Sequence, residues 1–196
     1  LEPDSVVAIS GGSTMAAVAE EMPILPFNPT VVPARGGVGA VVEYQANVIA
    51  SVLAERLRGT YKMLHLPDGL SQDSLHMLMT CEPQIKEISD LISRTDVLLF
   101  GIGTAMRMAD QRHIADEVRK QLVDNHAVGE ALGQYCDMDG KLIYSTNNIG
   151  LSLPDVAKVP NVIAVAGGQE KASAIIGVMR ACQKGILIID EQAAEG

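Results

Sequence analysis

The sequence predicts an α/β fold of three layers, in which a mostly parallel sheet has helices on both faces. Short apolar, β-branched runs alternate with segments of helical periodicity, the pattern of repeated strand–helix–strand units. The strand runs are apolar throughout rather than alternating, which indicates a sheet that is covered on both faces. The 196 residues are 47% hydrophobic, enough to bury a real core. We therefore expect residues 1–196 to form one domain.

Four apolar runs are predicted strands, and each leads into a loop that contains glycine. They occupy residues 6–9, 31–34, 97–100 and 162–166. Residues 186–190 predict a further buried strand, and residues 61–66 are another candidate. Because strands joined by helical crossovers run parallel, we expect the glycine loops to lie together at one edge of the sheet.

Helical periodicity fills the stretches between the strands. The predicted helices cover residues 14–21, 42–58, 84–93, 108–122 and 171–182. The longest has apolar side chains at Val42, Ala46, Ile49, Leu53 and Leu57 and is followed by Gly59. This spacing places one apolar stripe on the helix, and glycine is a common residue just past a helix end.

Asp139-Gly140 interrupts the strand–helix rhythm. The pair stands between residues 132–135 and 141–145 and predicts a tight turn in a small β-hairpin. We expect this hairpin to be an insertion in the α/β fold.

The charge balance excludes DNA binding by this chain itself. Its 15 Lys and Arg stand against 24 Asp and Glu, giving a net charge of −9 with no basic run. Nucleic-acid binding draws most of its affinity from cationic contacts to phosphates. An anionic ligand must therefore be held by a few local cations and by backbone amides.

Several other classes are excluded by missing patterns. Cys81, Cys136 and Cys182 are far apart and form neither a metal motif nor a disulfide framework, as in a reducing cytoplasm. No run approaches the ~20 apolar residues of a membrane span, and no signal peptide is present. Because no dinucleotide fingerprint follows a strand, we reject NAD as a ligand, and the missing P-loop argues against a nucleotide triphosphate. We expect a cytoplasmic protein with no cofactor, no metal and no membrane contact.

The glycine loops predict an anion site at the carboxyl edge of the sheet. Glycine allows close approach of backbone to a ligand, and a following helix offers free N–H groups and a positive dipole end. The candidate residues are Gly11, Gly12, Ser13 and Thr14 in the first loop, Arg35 in the second, Gly101, Gly103 and Thr104 in the third, and Gly168 with Lys171 in the fourth.

Each loop also has a plainer interpretation. Ser13 and Thr14 could only cap a helix, Arg35 could be an exposed side chain, and the third loop could be a tight turn. Lys171 is different, because an ammonium in the first turn of a helix is disfavoured by the dipole. A cation there is favourable when an anion neutralises it.

A second polar cluster runs from Asp124 through His126 to Glu130. Two carboxylates and an imidazole this close could perform acid/base chemistry. They could equally cap a helix and bind sugar hydroxyls, which is the interpretation we favour.

These motifs together resemble the sugar-binding domain of SorC/DeoR-type repressors. The resemblance rests on Ile9 to Thr14, Val32 to Gly37, Gln45 to Asn47, Gly101 to Gly103, Asp124 to Glu130, and Ile163 to Gly168 with Lys171. It spans residues 6–194, with the motifs in the same order. It implies a fold similar to glucosamine-6-phosphate deaminase, ribose-5-phosphate isomerase and the CoA transferases. It also implies a homo-oligomer, dimer or tetramer, that reaches operator DNA only through an N-terminal domain absent from this sequence.

The resemblance also implies roles for residues of the site. Gly12, Ser13, Thr14 and Lys171 would hold one phosphate, Arg35, Gln45 and Arg112 would make the other ligand contacts, and Glu130 would accept from a sugar hydroxyl. The implied effector is fructose 1,6-bisphosphate or a related glycolytic intermediate, as in the branch of the family that regulates glycolytic genes. Two alternatives stay open: a sugar-phosphate isomerase or deaminase with Asp124 or Glu130 as base, and a purely structural oligomerisation module.

Overall fold

The computed structural model describes residues 1–2, 4–37, 41–67 and 69–196, and two sheets organise them. The strands are β1 (Val6–Ile9), β2 (Thr30–Pro33), β3 (Thr60–Tyr61), β4 (Val97–Gly101), β5 (Gly103–Thr104), β6 (Gly129–Ala131), β7 (Gln134–Cys136), β8 (Leu142–Ser145), β9 (Asn161–Ala166) and β10 (Ile186–Ile189).

Helices connect most of these strands. They are α1 (Ser13–Glu21), α2 (Ala46–Arg56), α3 (Gln72–Cys81), α4 (Pro83–Ser93), α5 (Ala105–Gln111), α6 (Asp116–Asp124), α7 (Leu153–Val156), α8 (Ala172–Cys182) and α9 (Glu191–Glu195), with 3₁₀ turns at Val42–Tyr44 and Gln169–Lys171. Within the described ranges, every helix is too short or too polar to cross a bilayer.

The larger sheet has six parallel strands in the order β10-β9-β4-β1-β2-β3. The chain proceeds from β1 to β2 and β3 on one side, then continues on the other side of β1 with β4, β9 and β10. The order therefore reverses between β1 and β4, and the crevice beyond the carboxyl ends at such a point is where open α/β sheets bind ligands. The predicted parallel sheet is confirmed.

The core covers both faces of this sheet, as the continuous apolar runs predict. Val7 and Ile9 of β1 point into one buried cluster with α1 and α2, whereas Val6 and Ala8 point into the other. This alternation within one strand requires apolar residues on both sides, because successive side chains face opposite ways.

The edge strand β10 departs from its prediction. It is a strand, but Ile186 and Ile188 are 64% and 51% exposed. Its other two residues, Leu187 and Ile189, pack against the core. The expectation of a buried strand is wrong for one face, because β10 is the outermost strand, whereas α1 contacts β9 and β4 and α2 contacts β1, β2 and β3.

Two predicted helices are broken. The segment 42–58 splits into the 3₁₀ turn and α2, because Gln45 is extended. The segment 108–122 splits into α5 and α6, where His113 adopts a left-handed φ of 49°. There the His113 N–H donates to the Asp110 carbonyl and the Ile114 N–H donates to the Ala109 carbonyl. This pair of bonds is a Schellman motif, in which the position of His113 is usually occupied by glycine.

Other predictions need smaller corrections. The candidate strand over residues 61–66 is reduced to the two exposed residues of β3. The helix predicted over 171–182 begins one residue later, after a 3₁₀ turn. Three helices without a predicted counterpart, α3, α7 and α9, are also present.

The hairpin at Asp139-Gly140 is confirmed but belongs to a larger unit. An Asp137 carboxylate oxygen accepts from the N–H groups of Asp139 and Lys141 at 3.0 and 2.9 Å, which closes the turn between β7 and β8. β6 and β5 extend the hairpin to a four-stranded antiparallel sheet, β5-β6-β7-β8. Since β5 follows β4 after a single residue, this sheet is anchored at the carboxyl edge of the parallel sheet.

Candidate functional site

The loops after β1 and β4 meet at the reversal of strand order. The Ser10 N–H donates to the Leu99 carbonyl at 2.9 Å, and the Gly101 N–H donates to the Ser10 hydroxyl at 3.0 Å. These bonds fasten the first and third glycine loops to each other. The structure therefore brings together two of the four loops at the place where a ligand crevice is expected.

The first loop presents the N-terminus of α1. Gly12, with a φ of 112° that favours glycine, is the N-cap residue, and no side chain caps the helix. Its N–H donates to the Tyr44 carbonyl at 2.9 Å, which ties the loop to the 3₁₀ turn before Gln45. Ser13 is exposed and Thr14 half-buried. The interpretation of these hydroxyls as helix caps is wrong, and the helix end suits an anion.

Arg35 is buried rather than solvated, so the interpretation as an exposed side chain is also wrong. It is 8% exposed, and its Nη2 donates to the Thr146 hydroxyl at 2.8 Å. Two glycines make room for it. A Cβ on Gly133 would lie 1.8 Å from its Nη1, and a Cβ on Gly150 would lie 2.3 Å from its Cα.

Glu130 and Arg112 form a partly buried ion pair beside Arg35. The Glu130 Oε1 accepts from the Arg112 Nη2 at 3.0 Å and from the Gly133 N–H at 2.6 Å. The side chains are 4% and 21% exposed, respectively. Because Gly133 touches both Glu130 and Arg35, these three charged side chains form one polar cluster, which we call the Arg35–Glu130 cluster.

The third loop joins this cluster to the parallel sheet. Gly103 is paired with Glu130 in the β5–β6 register, and a Cβ on Gly103 would lie 3.9 Å from the Glu130 Oε2. Thr104 follows as the N-cap residue of α5, without a capping side chain. The loop thus turns the chain from one sheet into the other and passes close to the Glu130 carboxylate.

The fourth loop is held by a carboxylate that the sequence did not point to. The Gly168 N–H donates to both Asp190 oxygens at 3.1 and 3.0 Å, and the Ala193 N–H donates to the same side chain at 2.8 Å. The hydrogen bonds from the Ala193 and Gly168 N–H groups hold the pKa of the Asp190 carboxyl below its ordinary value. Asp190 therefore fixes the loop that precedes Lys171.

Lys171 lies close to a second cation. Burial lowers the pKa of its ammonium, and the charge of Arg107 lowers this pKa further, against the opposite effect of Glu170 and Asp190. Arg107 is exposed on α5, three residues after Thr104, and nothing in the sequence indicates that it comes near Lys171. Two cations that disfavour each other's charge are stabilised by an anion between them.

Asp124, a predicted ligand-binding residue, lies apart from the Arg35–Glu130 cluster. It is exposed at the end of α6, and no hydrogen bond or ion pair among the described residues joins it to the Arg35–Glu130 cluster. His126, also exposed, has a left-handed φ of 54°. In the described part of the chain, no three or more His, Cys, Asp and Glu side chains are placed to hold a metal ion.

Clustered cations beside the point where the strand order of a parallel sheet reverses are the features of a binding site for a small anionic ligand. Residues 1–196 match the family model described as "Putative sugar-binding domain", and the chain belongs to this family. The central glycolytic genes regulator of Bacillus subtilis is 40% identical over 193 residues, which are 97% of this chain and 56% of that protein. The regulator of the same name from Priestia megaterium is 41% identical over 193 residues, again 97% and 56%.

A solved structure agrees with this assignment. The SorC family transcriptional regulator from Enterococcus faecalis superposes with a TM-score of 0.91 at 39% identity, over 100% of this chain and 80% of that one. The predicted family and fold class are confirmed. The chain spans about half the length of the two curated relatives. Both curated relatives are named as transcriptional regulators, which is consistent with a binding domain rather than an isomerase or deaminase.

Proposed function

We propose that this chain is the effector-binding domain of a transcriptional repressor and binds fructose 1,6-bisphosphate or a related glycolytic phosphate. The observation that carries the proposal is the Arg35–Glu130 cluster, in which two arginines lie beside one buried carboxylate. The chain as a whole is acidic, with a net charge of −9, whereas this cluster has two cations and one anion.

Two separate groups of cations suit a ligand with two phosphates. Lys171 and Arg107, with Ser13 and Thr14 of the first loop, would hold one phosphate. Arg35 and Arg112, together with Gln45, would hold the other. An arginine fork binds phosphate through two parallel hydrogen bonds, which adds geometric selectivity to charge. Glu130, which is paired with Arg112 in the second group, would accept from a sugar hydroxyl.

The ligand would act by contacting several segments of the fold at once. Its proposed contacts come from the loops after β1, β2, β4 and β9 and from β6 of the antiparallel sheet. Binding therefore favours one arrangement of these segments, and in a homo-oligomer, dimer or tetramer, it would favour one arrangement of subunits. DNA contact would be left to another part of the full regulator in the cytoplasm.

A calorimetric titration tests this function. Fructose 1,6-bisphosphate, fructose 6-phosphate, glucose 6-phosphate and inorganic phosphate are added separately to the purified chain. We expect the bisphosphate to bind most tightly and inorganic phosphate at least tenfold more weakly. Equal affinity for all four would contradict a sugar-phosphate site. Absence of both binding and any thermal shift with every compound would instead favour a purely structural module.

A further inference from the structure

The hydroxyl of Tyr135 is buried without a hydrogen-bond partner. Tyr135 lies on β7 with 0% of its surface exposed. Among the buried side-chain polar atoms of the described residues, its oxygen is the one that no protein group satisfies. A buried tyrosine hydroxyl usually finds a partner, and leaving such a polar group unsatisfied destabilises a protein. Packing accounts for the burial of the Tyr135 ring but not for the presence of its hydroxyl oxygen.

The ring is fixed by the antiparallel sheet and by two helices. It packs with Ala105 and Ala109 of α5 and Leu122 of α6. It also lies 6.0 Å from the ring of Tyr144, its cross-strand neighbour, at a tilt of 46°. A phenylalanine would fill this space equally well, so the core does not require the hydroxyl.

The hydroxyl lies next to the Arg35–Glu130 cluster. Tyr135 is directly opposite Glu130 in the β6–β7 register, so their side chains are on the same face of the sheet. Burial raises the pKa of Tyr135, Glu130 raises it further, and Arg112 and Arg35 lower it. The phenol therefore stays protonated and is available as a donor within the field of all three charges.

We propose that Tyr135 is a specificity-determining residue that donates its hydroxyl hydrogen to a hydroxyl oxygen of the bound sugar, beside Glu130. The inference rests on the proposed function. A sugar hydroxyl has one hydrogen to donate and lone pairs to accept with, so a carboxylate acceptor next to a phenol donor matches it. Neither an apolar group nor a phosphate oxygen would satisfy both Glu130 and Tyr135.

Access to Tyr135 runs through Arg112. Arg112 is the more exposed residue of the Arg112–Glu130 ion pair. The exposed fraction of its side chain is 21%, against 4% for Glu130. A ligand phosphate that engages the Arg112 guanidinium competes with Glu130 for it. As this arginine turns toward the phosphate, Glu130 and the phenol behind it become reachable by the adjoining sugar hydroxyl. The phosphate and the hydroxyl would thus be recognised together.

The variant Tyr135→Phe tests the proposal, with Tyr144→Phe as the matched control on the neighbouring strand. We expect Tyr135→Phe to keep or raise the stability of the ligand-free protein, because no protein hydrogen bond is lost. It should raise the Kd for fructose 1,6-bisphosphate by about 2- to 15-fold, the value of one hydrogen bond. The control should leave this Kd unchanged.

The outcomes separate the inference from the proposed function. If the unmodified protein binds the bisphosphate and Tyr135→Phe binds it equally well, the inference is overturned and the proposed function stands. A drop in ligand-free stability with unchanged Kd overturns it too, since the hydroxyl would then be satisfied within the protein. Failure of the unmodified protein to bind any sugar phosphate overturns both.

Deoxy analogues of the bisphosphate locate the contact. For the analogue that lacks the recognised hydroxyl, the Kd of Tyr135→Phe and of the unmodified protein should coincide, because the interaction is already gone. An equal penalty for every analogue would contradict a direct hydrogen bond to the sugar.

Discussion

Gly133 lies directly against the guanidinium of Arg35, close enough that a Cβ would be 1.8 Å from Nη1. The same glycine donates its N–H to Glu130. One residue without a side chain therefore sets the positions of two charged groups at the centre of the candidate site.

Replacing Gly133 with alanine should displace Arg35. The matched control is Gly69→Ala, because Gly69 has a φ of 82° against 76° for Gly133 but nothing within 4 Å of its Cβ position. The strain of a left-handed alanine, about 1 kcal/mol or more, is common to both variants. Only Gly133→Ala should also weaken binding of fructose 1,6-bisphosphate, which calorimetry measures. Equal affinities in the two variants would contradict this role.

Removing the Glu130 charge should cost stability as well as binding. In Glu130→Gln the Arg112 guanidinium loses its carboxylate, and we expect the free energy of unfolding to fall by about 1–3 kcal/mol in urea denaturation. Glu87→Gln is the control, since the Lys62–Glu87 pair is solvent-exposed and such pairs contribute about 0–1 kcal/mol. A Glu130→Gln variant as stable as the control would show that the ion pair is not structurally important.

Lys171→Met should stabilise the ligand-free protein at neutral pH. Burial and Arg107 lower the pKa of Lys171, so the folded state releases its proton before the unfolded state does. Stability of the unmodified protein therefore rises with pH as Lys171 deprotonates, just below the ordinary lysine pKa of 10.5. The advantage of Lys171→Met should be largest at neutral pH and shrink through that window.

Melting temperatures across the pH range measure this difference. Lys86→Met, which removes an exposed lysine paired with Asp90, is the control and should change the melting temperature little at any pH. A lower melting temperature for Lys171→Met at neutral pH would contradict the proposed clustering of cations.

The parallel sheet was predictable because its central strands are buried on both faces. Val7 and Val6 of β1 face different clusters, and only an uninterrupted apolar run satisfies both. The glycine loops were predictable for a related reason, since backbone that approaches a ligand or a neighbouring loop tolerates no side chain. By contrast, β5 and β6 are two and three residues long, too short to show a period.

The parts of the site that escaped sequence analysis depend on contacts between distant segments. His113 ends α5 where glycine is usual, so the break in the helix has no sequence signal. Arg107 and Asp190 acquire a role only because α5 and the end of β10 converge on Lys171. In the sequence, Tyr135 has the features of an ordinary core aromatic residue. Its position opposite Glu130 follows only from the β6–β7 register of the structure.

The purified chain should not bind duplex DNA sequence-specifically at physiological salt. Its net charge of −9 repels phosphates, and the cations of the site are too few and too enclosed to follow a DNA backbone. Gel retardation with a promoter fragment measures this. A sequence-specific shift at low micromolar protein would contradict the separation of effector binding from DNA binding.

The affinity of Arg35→Ala for fructose 1,6-bisphosphate tests the central claim most directly. Loss of one charge-assisted contact to a phosphate should raise the Kd measured by calorimetry by about 10- to 150-fold. The control Arg94→Ala removes an exposed arginine at the end of α4, just before β4 begins at the opposite edge of the sheet, and should bind like the unmodified protein. If Arg35→Ala also binds like the unmodified protein, the ligand is not held at the carboxyl edge and the proposed site is wrong.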